Sequence, residues 1–83
     1  MPKIILRGPL ITQFNRKEIE LDGENIFEIL SKLDNNGKYI LNHKNEVKPG
    51  IIILINGKDW KLYDNLDIKD NDIIEIIPVN HGG

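Results

Sequence analysis

The last three residues of the sequence, His81, Gly82 and Gly83, are the ones whose types and order suggest chemistry. Glycine has no Cβ, so a Gly-Gly end can lie extended in a channel too narrow for other residues. Such an end buries no side chain and adds ordering entropy, so it contributes nothing to folding. The pattern therefore predicts a slender end that carries the Gly83 carboxylate to chemistry inside another protein. The alternative interpretation is an inert frayed terminus or an expression scar.

Composition limits what else the chain can be. Its 83 residues correspond to one domain, near the lower size limit of domains that fold without disulfides or metal ions. The sequence has no cysteine, which excludes disulfides, thiolate metal sites and a cysteine nucleophile. Eleven Lys and Arg against 13 Asp and Glu give a net charge of −2 without a basic block. We therefore expect no direct nucleic-acid partner.

The hydropathy of the chain predicts its relation to membranes and its cellular location. The longest apolar run, residues 51–55, is too short to span a membrane. The first residues lead straight into a strand-like segment without the apolar core of a signal peptide. These features predict a soluble cytoplasmic protein with no membrane partner.

The elements that must hold the tail begin with a strand at residues 3–7, where polar and apolar residues alternate. Gly8 and Pro9 end this strand, and a loop over residues 8–12 leads to a second strand at about residues 13–21. Two strands joined so closely predict an antiparallel hairpin.

A helix is predicted at about residues 26–35. The apolar positions recur at helical spacing and define one face, formed by Ile26, Ile29, Leu30 and Leu33. Asn25 is a good N-cap, and Glu28 three residues later gives a pair that resembles a capping box. Asn36-Gly37 is expected to supply the left-handed stop.

The second half of the chain predicts three more strands. A polar loop over residues 38–48 precedes an apolar strand at residues 51–56. Asn56-Gly57 predicts a tight hairpin to a short edge strand at residues 59–62. Residues 64–72 are rich in turn formers, with one helical turn at 66–68 as an option. The last strand covers residues 73–78.

Without the short edge strand at residues 59–62, the order is ββαββ, which predicts an α+β fold in which a mixed sheet packs on one main helix. We expect the first and last strands to lie parallel at the centre of the sheet, joined by a right-handed crossover. That arrangement is a β-grasp, or ubiquitin-like, roll. The domain then covers residues 1–79, and residues 80–83 form a flexible tail.

The sheet face away from the helix is a candidate docking surface. If Ile53 and Ile55 point towards the helix, their neighbours on the strand point away. The predicted partner patch comprises Ile5, Ile52, Leu54, Trp60, Ile73 and Ile77. Its expected rim is Lys3, Arg7 and Lys58. Two alternatives are that the loop at 38–48 covers this face, or that the strand register differs by one residue.

Three segments resemble the ubiquitin-related modifier family. Residues 53–60, ILINGKDW, are similar to its third-strand hairpin, and residues 66–76, LDIKDNDIIEI, are similar to the run into its final strand. The ending His81-Gly82-Gly83 is similar to its tail. The Gly-Gly end is also shared with the thiazole-pathway sulfur carrier and with the small subunit of molybdopterin synthase, which Pro78-Val79 resembles too.

The resemblance implies a carrier with no catalytic residue, no metal and no cofactor of its own. An ATP-dependent, ubiquitin-activating-like enzyme would adenylate Gly83, and sulfur from a persulfide would convert it to a thiocarboxylate. A sulfurtransferase or tRNA-thiolation enzyme would take the sulfur for a wobble uridine, and lysines of target proteins could capture the same activated end. His81 and Gly82 would lie in the partner's channel, although His81 is equally consistent with a solvated residue.

Two other functions remain open from the sequence. One is the small subunit of molybdopterin synthase, whose tail inserts into a catalytic large subunit. The other is a β-grasp interaction module with an inert tail, since a fold does not fix a function. An independent enzyme is disfavoured, because no nucleophile–base pair, phosphate loop or metal motif is evident.

Overall fold

The computed structural model describes residues 1–35 and 37–79. Its centre is a five-stranded sheet with the strand order β2-β1-β5-β3-β4. The strands are β1 (Lys3–Leu6), β2 (Glu18–Glu20), β3 (Ile51–Ile55), β4 (Lys58–Asp59) and β5 (Ile73–Pro78). The helices are α1 (Pro9–Phe14), α2 (Ile26–Asp34) and a 3₁₀ turn at Trp60–Leu62.

Strand β5 lies in the middle of the sheet, as the sequence predicts. It pairs parallel to β1 and antiparallel to β3, while β1 and β2 form the expected antiparallel pair. Ile4 and Ile74 are opposite each other, as are Ile53 and Ile76, and all four are fully buried. The mixed sheet with its main helix confirms the α+β, β-grasp architecture.

Helix α2 covers one face of the sheet. Its buried residues are Ile26, Ile29, Leu30, Leu33 and Asp34. The Asn25 side chain caps the helix, because its Oδ1 accepts a hydrogen bond from the Glu28 amide at 2.9 Å. The Glu28 carboxylate in turn accepts from the amide of Glu24 at 3.2 Å, one residue before the capping-box position.

The helix ends one residue earlier than predicted. Asn35, at φ 42°, takes the left-handed position, and its amide donates to the carbonyl of Ser31. Gly37 is not needed for the stop, and Asn36 lies outside the described residues. Asparagine serves here because it tolerates the left-handed region better than other residues with a Cβ.

The largest difference from prediction lies between β1 and β2. Residues 9–14, expected to be loop and strand, form helix α1, and β2 is limited to three residues. Pro9 suits a first helical turn, and Leu10, Ile11 and Phe14 share a helical face that packs on the core. Asn15, at φ 56°, ends the helix in the left-handed conformation. The alternation of polar and apolar residues at 18–21 is that of a strand, and the predicted strand was extended back to residue 13, into the segment that forms the end of this helix.

Two smaller predictions were wrong. The edge strand at residues 59–62 stops at Asp59, because the Asp59 carboxylate accepts from the Lys61 amide and begins the 3₁₀ turn. No helical turn forms at 66–68, where the backbone pairs with the start of α2 through Ile26 to Leu66 and Ile68 to Glu24. Within the described ranges, no helix has both the length and the apolar composition needed to cross a bilayer.

Candidate functional site

The chain leaves the sheet at its centre. Strand β5 ends at Pro78, which is opposite Ile51 of β3. The next amide, that of Val79, donates to the carbonyl of Gly50 at 2.6 Å. On the other side, the Arg7 amide donates to the carbonyl of Ile76 at 3.1 Å. The base of the tail is therefore fixed by neighbours on both sides.

The predicted tail residues, His81, Gly82 and Gly83, lie outside the described residues, as does Asn80. What the structure gives is their point of attachment, at Val79. Four residues can extend at most about 14 Å from that point. A partner that holds Gly83 must therefore bring its surface close to this end of the sheet.

The outer face of the sheet, opposite α2, gathers five of the six predicted patch residues. Ile5 and Leu54 align in register with Glu75, and Ile52 aligns with Ile77. Ile73 is 43% exposed and Ile52 37%, while the other three are half-buried. The buried side chains of β3 and β5 point to α2, so the faces are as the sequence predicts. We call Ile5, Ile52, Leu54, Ile73 and Ile77 the outer patch.

A charged pair interrupts the outer patch. The Arg7 guanidinium donates to the same Glu75 oxygen from Nε at 3.2 Å and from Nη2 at 2.9 Å. Arg7 and Lys3 border this face as expected, and Lys3 lies 3.8 Å from a Glu18 oxygen. Because Glu75 is satisfied within the chain, a partner can cover the patch without supplying its own cation.

Lys58 does not border the outer patch. It is opposite Ile55, a buried residue that faces α2, so its side chain leaves from the other side of the sheet. Its ammonium lies over the Tyr63 ring, 4.9 Å from the centroid. The expected third member of the rim is therefore displaced, because the two-residue hairpin places Lys58 in register with Ile55.

Trp60 also lies apart from the other predicted patch residues. It follows Lys58 by two residues and lies on the same helix side of the sheet, where its ring meets Phe27 edge to face at 5.6 Å between centroids. The two rings line a groove of about 520 Å³ together with residues 45–51 and Lys61. Phe27 lies just after the N-cap and outside the apolar face of α2, and this position was a usable sequence signal of its exposure.

The loop at 38–48 does not cover the outer patch. Its Ile40 and Leu41 are buried in the core on the helix side. The Asp34 carboxylate, at the end of α2, accepts the amides of Tyr39, Ile40 and Leu41 at 2.8, 3.2 and 3.1 Å. These bonds hold the loop beside the helix, which leaves the sheet face accessible.

Candidate metal ligands are scattered. Over residues 1–35 and 37–79, no three His, Cys, Asp or Glu side chains lie close enough together to hold an ion. His43 is exposed in the loop at 38–48. The aspartates at 64, 67, 70 and 72 lie in the irregular segment before β5. Asp67 pairs with Asn25 in an isolated bridge, and the Asp72 carboxylate accepts from the Lys69 amide at 2.8 Å and from the Asn56 side chain at 2.8 Å.

Comparison with known proteins relates this geometry to a family. The family model for Urm1 (Ubiquitin related modifier) matches residues 9–83. The Ubiquitin-related modifier 1 homolog of Drosophila simulans is 35% identical over an alignment that covers 89% of this chain and 82% of that protein.

Two solved structures share both fold and sequence. Urm1 of Sulfolobus solfataricus is 55% identical with a TM-score of 0.89, covering 94% of this chain and all of that one. The small archaeal modifier protein 1 of Methanosarcina acetivorans is 29% identical with a TM-score of 0.83, covering 99% of this chain and 95% of that one. With its central β5, its outer patch and a family match that includes the final glycines, the chain belongs to the ubiquitin-related modifier (Urm1) family.

Proposed function

We propose that the chain is a sulfur carrier and protein modifier whose reactive group is the carboxylate of Gly83. The observation that carries the proposal is the family match through residue 83. The attachment of the tail to the central strand supports it, because a fixed base lets a partner direct the Gly-Gly end into its active site. In this role the domain is a substrate of other enzymes and performs no catalysis itself.

The carboxylate needs activation before it can react. Its negative charge repels nucleophiles, and oxide is a poor leaving group. In the proposed first step, a Gly83 carboxylate oxygen attacks the α-phosphorus of ATP on an activating enzyme and pyrophosphate leaves. The product is an acyl adenylate, whose leaving group is AMP.

Sulfur then replaces the AMP. The terminal sulfur of a protein persulfide attacks the Gly83 carbonyl, AMP departs, and an acyl disulfide forms. A second thiol cleaves its S–S bond, which releases the thiocarboxylate and leaves a disulfide behind. We propose that a sulfurtransferase or tRNA-thiolation enzyme takes this sulfur for a wobble uridine, and that lysine amines of target proteins can capture the activated carbonyl to form an isopeptide.

The remaining site residues have positioning roles in the proposal. Gly82 gives clearance in the partner's channel, and His81 hydrogen-bonds within it. The outer patch docks the activating enzyme, since an accessible apolar face next to the reactive end is typical of partner surfaces. The family match supports this carrier over a molybdopterin synthase subunit.

Intact-mass measurement tests the proposal. The chain is incubated with the activating enzyme encoded in the same genome, Mg-ATP and a sulfur source. We expect a mass gain equal to the exchange of one oxygen for one sulfur, located at Gly83 by fragmentation, and its loss when ATP is omitted. An unchanged mass, together with no trapped adenylate, would support the inert interaction module instead.

A further inference from the structure

The groove on the helix side of the sheet has the size and lining of a binding site. It encloses about 520 Å³, which is within the range of pockets that hold small ligands or single side chains of a partner. Its apolar walls are the rings of Phe27 and Trp60 with Val47 and Ile51, and Lys48 and Lys61 lie at its edge. None of these residues belongs to the outer patch.

The aromatic pair is only partly covered by its own domain. Phe27 is 37% exposed and Trp60 is half-buried, although both rings pack edge to face against each other. Two adjacent aromatic rings that remain accessible are typical of the anchoring points of protein interfaces. The pair therefore offers a preformed recess for one apolar side chain.

The charges around the groove select its ligand. The lining contains two lysines, Lys48 and Lys61, and one carboxylate, that of Glu46, which accepts a hydrogen bond from the Asn42 side chain at 3.3 Å. Among residues 1–35 and 37–79, neither lysine takes part in an ion pair. The groove thus combines apolar walls with a net positive charge, which complements an apolar anchor flanked by carboxylates.

The groove adjoins the exit of the tail. Gly50, which lines it, accepts the amide of Val79, and Ile51 pairs with Pro78. Residues 80–83 reach at most about 14 Å from Val79. A partner body that holds Gly83 therefore stands against this end of the sheet, between the outer patch and the groove.

We infer that the groove is a second docking site, which binds a short acidic segment of the activating enzyme, with an aromatic or aliphatic anchor that packs against the exposed sides of the Phe27 and Trp60 rings. The inference rests on the proposed function for the identity of the partner. Engagement on both sides of the tail exit would fix the direction in which the tail leaves the domain. The outer patch alone leaves rotation about its own face unrestrained.

Charge reversal at the groove tests the inference kinetically. Lys48→Glu/Lys61→Glu is expected to raise the KM of adenylation for the chain about tenfold or more, while kcat changes less than about twofold. The neutral pair Lys48→Gln/Lys61→Gln should fall between the wild type and the reversed pair. The matched control is Arg16→Glu/Lys17→Glu, at exposed positions beside β2 on the opposite sheet edge. Equal KM values for the groove and control variants would overturn the inference.

The only tryptophan of the chain provides a direct readout of the groove. With 5-fluorotryptophan at Trp60, the chain should give one fluorine resonance, which shifts or broadens on addition of the activating enzyme without ATP. The Lys48→Glu/Lys61→Glu variant, once shown to be folded by circular dichroism, should lose this response. An unchanged resonance in the wild-type complex would refute the groove as a docking site.

The fluorine signal also separates the competing explanations. A shift that depends on chain concentration alone would assign the groove to a second copy of the chain and overturn the inference. A wild-type chain that forms a complex and shifts the resonance, yet gives no adenylate, would refute the proposed function while retaining the docking site. Adenylation with no effect at Trp60 would do the reverse.

Discussion

At the scale of single residues, Asp34 has the most consequential contacts in the structure. It is the last residue of α2, where the partial negative charge of the helix dipole disfavours a carboxylate, and it is only 5% exposed. Its two carboxylate oxygens accept three backbone amides, from Tyr39, Ile40 and Leu41. In Asp34→Asn, one oxygen becomes an amide nitrogen that faces a backbone donor. We expect the free energy of unfolding to fall by about 1–3 kcal/mol in urea titrations.

The matched control for Asp34 is Asp64→Asn, which makes the same chemical change in an exposed loop. Its stability should stay within about 0.5 kcal/mol of the wild type. Equal losses in the two variants would show that the three amide bonds do not hold the loop. This role was not predictable from the sequence, because a helix-terminal aspartate followed by Asn, Gly and Lys has the composition of a solvated turn.

At the scale of elements, β3 contributes Ile52 and Leu54 to the outer patch, and Ile52 is the more exposed of the two. Ile52→Asp puts a charge where an apolar partner surface would cover it. If the patch docks the activating enzyme, we expect the KM of adenylation to rise about tenfold or more, as for an interface hot spot. Ser31→Asp, which adds the same charge to the exposed side of α2, should leave KM unchanged. A KM for Ile52→Asp equal to that of Ser31→Asp would exclude the patch from docking.

The longer elements, which repeat an apolar pattern, were predictable from the sequence, and the short helix α1 was not. Helix α2 follows from four apolar residues at helical spacing and from the Asn25 cap, and β5 follows from its run of isoleucines. Helix α1 has only six residues, and it depends on Gly8 at φ 56° and on the burial of Leu10 against the sheet. A helix so short is stabilised by tertiary packing, which a local pattern does not contain.

At the scale of the whole molecule, the alternation of side chains along the strands determined which residues lie together on the outer face of the sheet. Five of the predicted patch residues came together because strand alternation fixes the face of every second side chain. Trp60 did not join them, because the register that pairs Lys58 with Ile55 and Asp59 with Leu54 puts Trp60 on the helix side of the sheet. The groove beside Phe27 was also not predictable from the sequence, because its lining comes from three segments that are distant along the chain: α2, the 3₁₀ turn and residues 45–51.

The last prediction concerns the division between the folded domain and the tail that we propose to be reactive. The buried core is built from Ile4 to Ile76, and β5 ends at Pro78, so removal of Gly82 and Gly83 should leave the free energy of unfolding within about 0.5 kcal/mol of the full chain. The same truncation should abolish formation of the adenylate and the thiocarboxylate, because the remaining His81 has a Cβ and a shorter reach.

Ile53→Val is the matched comparison for the truncation, because it should lower stability and leave adenylation unchanged. Ile53 is fully buried, so loss of one methylene should lower stability by about 0.5–1.5 kcal/mol while the tail remains intact. Below its unfolding transition, this variant should be adenylated at the wild-type rate. Urea titration and intact mass on the same samples then measure body and tail separately. A truncated chain that loses as much stability as Ile53→Val would show that the final glycines contribute to the fold, against their role as a reactive end.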